Sequence, residues 1–295
     1  MKFYCRLLLV WMGLLSLPSI ADTVLVVIPA ETPLTMEFTS ELKRQRTDDK
    51  VLLHSMADGQ LPEANPNLII TMGISALEWR LDQADRTPTI ATYVSRSGLD
   101  SAELSALPPH VRAVLANPKP ERQLRLAELL IPRLRGAGVL HSKVHAQQIP
   151  EWIEAAVATD VELKVAELAD SEDLARILVS VLDRSDVLIG VDDPVIYNAD
   201  NLKTILLSSY TRNRVLIGPS APFIAAGSLS TTFSSPDDIA RHVGLMTNQP
   251  ASMLQVDYPR YFSVLSNQQV ARSMGFAPPD DSALAAELAR REGIR

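Results

Sequence analysis

What most limits the fold of this chain is a repeated alternation of short, β-branched apolar runs with longer segments patterned at helical spacing. Thr23–Ile28 (TVLVVI), Asn67–Met72 (NLIITM), Thr89–Val94 (TIATYV), Val187–Gly190 (VLIG) and Val215–Gly218 (VLIG) are largely apolar without a polar alternation. Such runs are strands buried on both faces, the pattern of a parallel sheet covered by helices. Further strands are expected at Val51–His54, Arg112–Leu115, Gly138–His141, Val161–Ala166, Leu229–Phe233 and Tyr261–Leu265. Between them lie helical patterns at Met36–Arg46, from Gly73 to about Gln83, Glu121–Leu134, Pro150–Ala158, Glu172–Leu182, Asn201–Tyr210, Asn267–Met274 and Asp281–Arg290.

Strands alternating with helices imply parallel sheets with helices on both faces. Two such series meet near Ala116–Pro120, so the expected architecture is α/β, with two doubly wound parallel-sheet lobes and a ligand cleft between them. The N-terminal lobe is expected over 22–118, with a later segment near 233–265 returning to it, and the C-terminal lobe mainly over 119–295. In doubly wound sheets, ligands sit outside the carboxyl ends of the strands. That places attention on Gly73–Ser75, Tyr93–Ser97, Ser142, Val191–Asn198 and Pro219–Ala221.

The first 21 residues carry a separate signal. Lys2 and Arg6 precede an apolar run from Leu7 to Leu17, Pro18 breaks it, and Ser19-Ile20-Ala21 supplies a small-x-small site. This is the layout of a cleavable secretory signal peptide. A run of about 11 residues is well short of the ~20 that span a bilayer. Cleavage is expected after Ala21, placing the chain in the periplasm. The sole cysteine, Cys5, lies ahead of the apolar run, where it cannot serve as a lipoprotein acceptor. The chain beyond Ala21 therefore has no disulfide, thiolate metal site or cysteine nucleophile.

Charge narrows the partners. Losing Lys2 and Arg6 from 28 basic residues leaves 26 against 35 acidic ones, a formal charge of −9. With no run of Lys or Arg, nucleic acid is not an expected partner.

Seven residues are candidates for ligand contact. Asp192 and Asp193 follow a buried strand, and carboxylates there can accept hydrogen bonds from a ligand ammonium; equally, one of them can cap the following turn. Asn198 can bind a ligand or close the same loop. Gly73 and Ser75 open a helix after a strand, where backbone N–H groups favour anions; Ser75 also fits as an ordinary first-turn residue. Ser220 repeats that arrangement in the other lobe and is a natural N-cap. Tyr93, like Tyr197, can stack on a ligand or pack at a rim.

Catalytic patterns are weaker. Gly73-Ile-Ser75-Ala lacks the second glycine of a nucleophile elbow. Gly136-Ala-Gly138 leads into a strand rather than out of one, the wrong order for a dinucleotide loop. His141 and His145 flank a strand end without further ligands and read as a surface pair rather than a zinc site. No cofactor or metal is expected.

The second half resembles a known family. The strand and acidic loop Asp186–Asn198 (DVLIGVDDPVIYN), the helix Asn201–Ser209 (NLKTILLSS), Val215–Ser220 (VLIGPS), Phe223–Ser228 (FIAAGS), Ser235–Ala240 (SPDDIA) and Phe262–Gly275 (FSVLSNQQVARSMG) carry the likeness. Together they resemble the ABC-transporter substrate-binding proteins that include the tryptophan-binding TrpX group. That resemblance implies the type I periplasmic-binding fold, a small-molecule ligand, an inner-membrane ABC permease as partner, a monomer and no enzymatic activity. The family usually carries a longer segment with an Asn-x-Thr-Gly motif between the fourth strand and the lobe crossover. Here only Ser95–Val111 lies there, so the aromatic amino-acid ligand does not carry over. A periplasmic ligand sensor reporting to a receptor or kinase is the alternative function.

Overall fold

A computed structural model describes residues 22–59, 62–104, 106–247 and 255–294. The expected signal peptide, 1–21, lies outside the described residues.

The first sheet is laid down by β1 (Thr23–Ile28), β2 (Lys50–Ser55), β3 (Leu68–Met72), β4 (Thr89–Val94) and β5 (Val111–Leu115). They are linked by α1 (Pro33–Gln45), α2 (Ile74–Leu81) and α3 (Arg96–Ser101). The order across the sheet is β2-β1-β3-β4-β5, with all pairs parallel. After α4 (Pro120–Leu130), the second sheet repeats the plan. It contains β6 (Gly136–Ser142), β7 (Glu162–Leu168), β8 (Val187–Ile189), β9 (Leu216–Ile217) and β10 (Ser230–Phe233). The intervening helices are α5 (Ile149–Thr159), α6 (Leu174–Leu182), α7 (Ala199–Thr211) and α8 (Pro222–Ala226). The order is β7-β6-β8-β9-β10, again parallel.

The chain then returns to the first lobe. α9 (Pro236–Thr247) packs on α1, sending Ile239, Val243 and Met246 into the core around Phe38 and Leu42. β11 (Val256–Asp257) adds to the first sheet parallel to β5. Finally β12 (Ser263–Ser266) pairs antiparallel with β10, and α10 (Gln268–Ser273) and α11 (Asp281–Arg291) cover the second lobe. Three segments thus cross between lobes, at 116–119, 234–235 and 258–262.

Local chemistry explains several boundaries. α1 begins at Pro33, earlier than its apolar pattern, because Thr32 and Thr35 cap each other's backbone N–H and proline is pre-set for the first helical position. α4 stops at Leu130 rather than Leu134 because Ile131 precedes Pro132 and adopts extended dihedrals. α9 starts at a second reciprocal cap: the Asp238 N–H donates to the Ser235 hydroxyl, and the Ser235 N–H donates to the Asp238 carboxylate. α3 and β11 leave little periodic trace, since α3 (RSGLDS) has one large apolar residue and β11 is two residues long.

The apolar runs do form the cores. Every residue of β3 is buried, as is β1 after Thr23. Burying each such side chain contributes about 1.5–3 kcal/mol against the entropy of ordering the chain. Gly138 shows how tightly β6 and α6 meet: a Cβ there would lie 2.4 Å from Val181 Cγ1 and 2.8 Å from Ser185 Oγ.

Candidate functional site

Both sheets have the same strand order, so each reverses direction at one place, between β1 and β3 and between β6 and β8. Crevices form at such switch points, outside the carboxyl ends of the strands. The loops at these ends differ in exposure. Pro29–Glu31, Ser75 and Pro194–Val195 are exposed, whereas α3 of the first lobe packs against the short 3₁₀ segment Lys143–Gln148 of the second.

The bridge formed by α3 is built in steps. The Ser95 hydroxyl caps the helix by accepting from the Gly98 N–H at 2.9 Å, and Asn117 in the first crossing accepts from the Arg96 N–H at 2.7 Å. So held, α3 points the Ser97 N–H across the cleft at Asp192 Oδ2, 2.6 Å away. Gln148 donates to the Asp192 carbonyl at 3.0 Å and fixes that loop from behind. A second link joins Arg96 to Glu151 of α5 at 3.5 Å, and Tyr258 of the third crossing donates to the same carboxylate at 2.9 Å. Burial, reinforced by Glu151, raises the Tyr258 hydroxyl far above the ordinary tyrosine range, so it acts as a donor. Behind these contacts is a cavity of about 20 Å³ lined by Arg96, Asn117, Gln148, Trp152, Asp192 and Tyr258. That volume holds about one water molecule.

The seven candidates fall into different places. Asp192 reaches the cleft and spans it. Asp193 turns inward: its carboxylate accepts from the Ser142 N–H at 2.5 Å and the Val195 N–H at 3.1 Å, tying two strand-end loops of one lobe together. Asn198 is the N-cap of α7, accepting from the Asn201 N–H at 3.0 Å while its amide donates to the Pro194 and Val195 carbonyls. Gly73 stands at the N-cap of α2 with φ +81°, a conformation that favours glycine, and Ser75 is exposed in the first turn. Tyr93 has φ +55° at the end of β4 and lays its ring edge-on to Phe38 at 5.5 Å. Its hydroxyl is buried without a partner, and burial raises it well above the usual range, with Glu37 and Asp238 adding to the rise.

Two expectations need correction. Ser220 does not cap α8; Ala221 holds the N-cap position with helical dihedrals and no side-chain cap, because the turn at Ser220 and Ala221 runs directly into Pro222. His141 and His145 are not a surface pair: they are 6% and 2% exposed, since β6 is buried along its whole length and the segment after it lies under α3. No group of three or more His, Cys, Asp or Glu side chains among the described residues is arranged to hold a metal ion.

Sequence reasoning reached Arg96 and Ser97 only as part of the strand end Tyr93–Ser97, and it did not single out Asp100, Gln123, Glu151 or Tyr258. Ser95-x-x-Gly98 is a faint capping signal for α3, but nothing local marks side chains that meet only across the cleft.

No protein-family model matches the chain, and no curated protein matches it in sequence. Solved structures do. It is similar to a ligand-free, open substrate-binding protein with adhesive properties from Clostridium difficile, at 14% identity and a TM-score of 0.65, over 88% of this chain and 97% of that one. It is also similar to an ABC domain in complex with L-Trp from Streptococcus pneumonia, at 14% identity and a TM-score of 0.54, over 90% and 98% of the two chains. A conserved domain protein from Vibrio cholerae matches at 15% identity and a TM-score of 0.55, over the same shares. The chain has the type I periplasmic-binding fold. The site described here lies between the lobes and beside the first and third crossings, which contribute Asn117 and Tyr258.

Proposed function

We propose that this chain is an exported solute-binding protein that closes two lobes over a small molecule and delivers it to an inner-membrane ABC permease. The observation that carries this is the bridge at the base of the cleft, where each lobe contributes one partner to the contacts that cross it. Ser97 and Arg96 come from one lobe, Asp192 and Glu151 from the other. Contacts divided in this way exist only at one lobe angle, so a ligand with extra affinity for that angle shifts the population toward it. A binder rather than a catalyst is supported by the similar structures that are described as substrate-binding or in complex with L-Trp, and by the sequence, which assembles no nucleophile–base pair. Export rests on Lys2–Ala21.

The test is a thermal-shift screen of the purified protein against amino acids, peptides, sugars and metal chelates. A solute binder shows a rise in melting temperature with at least one class. No rise with any of them would count against the proposal.

A further inference from the structure

Three buried polar atoms at the bridge have no hydrogen-bond partner: Asp100 Oδ2 on α3, Ser142 Oγ at the end of β6, and His145 Nδ1 in the segment after it. Ser142 and His145 are only 3% and 2% exposed. Buried polar groups are nearly always paired, and leaving one unpaired is costly. Asp100 comes from one lobe and Ser142 and His145 from the other, and α3 packs on the segment that holds His145, so a hydrogen-bonding molecule held between the lobes here would complete them. All three accept: a serine oxygen and a carboxylate oxygen do so directly, and an imidazole nitrogen does so in one tautomer.

The surrounding charge is mainly acidic. Loops following β1, β4, β6 and β8 carry Glu31, Asp100, Asp192 and Asp193 against Arg96 and Lys143, and Arg96 is already engaged by Glu151. A cleft with an excess of one sign of charge favours ligands of the other. We infer that the ligand of this cleft is a small organic cation, carrying an ammonium or guanidinium group that donates to Asp100, Ser142 and His145 and is balanced by Asp192. This rests on the solute-binding function proposed above and specifies its substrate class. Burial raises the Asp100 carboxyl, an effect that Arg96 and His145 oppose and Asp192 reinforces, as expected for a carboxylate short of positive partners. Asp192 Oδ2 keeps the Ser97 N–H, and the other oxygen of that carboxylate accepts from the ligand, which therefore binds at the lobe angle that forms the bridge.

The experiment is isothermal titration of the purified protein with putrescine and L-arginine as cations, succinate and L-glutamate as anions, and D-ribose and L-tryptophan as probes without net charge. Binding by a cation and by no anion, weakened at least tenfold in Asp100→Asn and in Ser142→Ala, is the expected result; tenfold corresponds to about 1.4 kcal/mol. His145→Gln serves as a further variant should Asp100→Asn lower the melting temperature enough to obscure the titration. Binding only by an anion or an uncharged probe would overturn the cation assignment and leave the solute-binding function standing. Binding by none of the six would overturn both. Cation binding unchanged in every variant would overturn the location.

Discussion

Gln123 gives the sharpest test of how the first crossing is fastened to the second lobe. It lies on the first turn of α4, 1% exposed. Its amide nitrogen donates to the Gly218 carbonyl at 2.9 Å and the Thr231 hydroxyl at 3.1 Å. Its amide oxygen accepts from both the N–H and the hydroxyl of Thr232, each at 3.0 Å. Gln123→Leu keeps the approximate volume but removes all four bonds. The Gly218 carbonyl still accepts from Thr231, so the main losses are the two Thr232 donors, left buried without this acceptor. At about 1–3 kcal/mol for each unsatisfied buried group, the cost is roughly 4 kcal/mol. For a protein of this size, about 2–4 °C per kcal/mol converts that into a melting temperature lower by ~8–15 °C. Thermal unfolding followed by circular dichroism reads it, with the exposed Gln147→Leu expected to stay within about 0.5 kcal/mol of wild type. A fall of less than about 3 °C in Gln123→Leu would refute the reasoning that this amide is a cooperative fastening.

Other predictions follow from single contacts. Asp192→Ala removes the cross-cleft acceptor of Ser97; because Asp192 is partly exposed, the loss is nearer 1 kcal/mol than the 1.5–3 typical of charged hydrogen bonds, which still shifts the lobe-angle equilibrium about fivefold, and small-angle scattering should report a larger radius of gyration. Gly138→Ala drives a methyl into Val181 and Ser185 and should cost about 1–3 kcal/mol by denaturant titration. His242 accepts from the Arg260 N–H at 3.0 Å, with Asp257 3.7 Å from its other nitrogen. Burial lowers its pKa, Asp257 pulling the other way and Arg260 and Arg122 adding to the fall. With a folded value below the usual ~6.5, the unfolded chain binds the proton first, so this stability is fully present above that value and is lost as pH falls through the folded one. Melting temperature should therefore drop between pH 7 and 5, and less steeply in His242→Gln.

The sheets were legible because their strands are continuous apolar runs: β1 and β4 end where the runs end, and the pattern placed most other strands to within two residues. The return of the chain to the first lobe was read only as a segment near 233–265, and β11 is too short to announce itself. The cleft was partly legible. Rules for strand ends pointed to Asp192 and Asp193 together, but which carboxylate crosses depends on backbone direction in a loop. Asp193 is drawn inward by the Ser142 N–H, a partner 51 residues away in sequence. Arg96 and Glu151 meet because two lobes face each other, and a spacing of 55 residues carries no signal of that. Ser220 failed as a cap because one proline two residues later set the turn.

The central claim is that lobe angle responds to a ligand held between Asp192 and α3. It is tested most directly by pulsed electron–electron distance measurement between spin labels at Glu78→Cys on α2 and Lys203→Cys on α7, with Cys5→Ser in the same chain. Both positions are exposed, and each belongs to one lobe. A saturating ligand from the binding experiments should narrow the distribution and move its mean, and Asp192→Ala should broaden the ligand-free distribution. One distance distribution, the same with and without a ligand that demonstrably binds, would contradict the account.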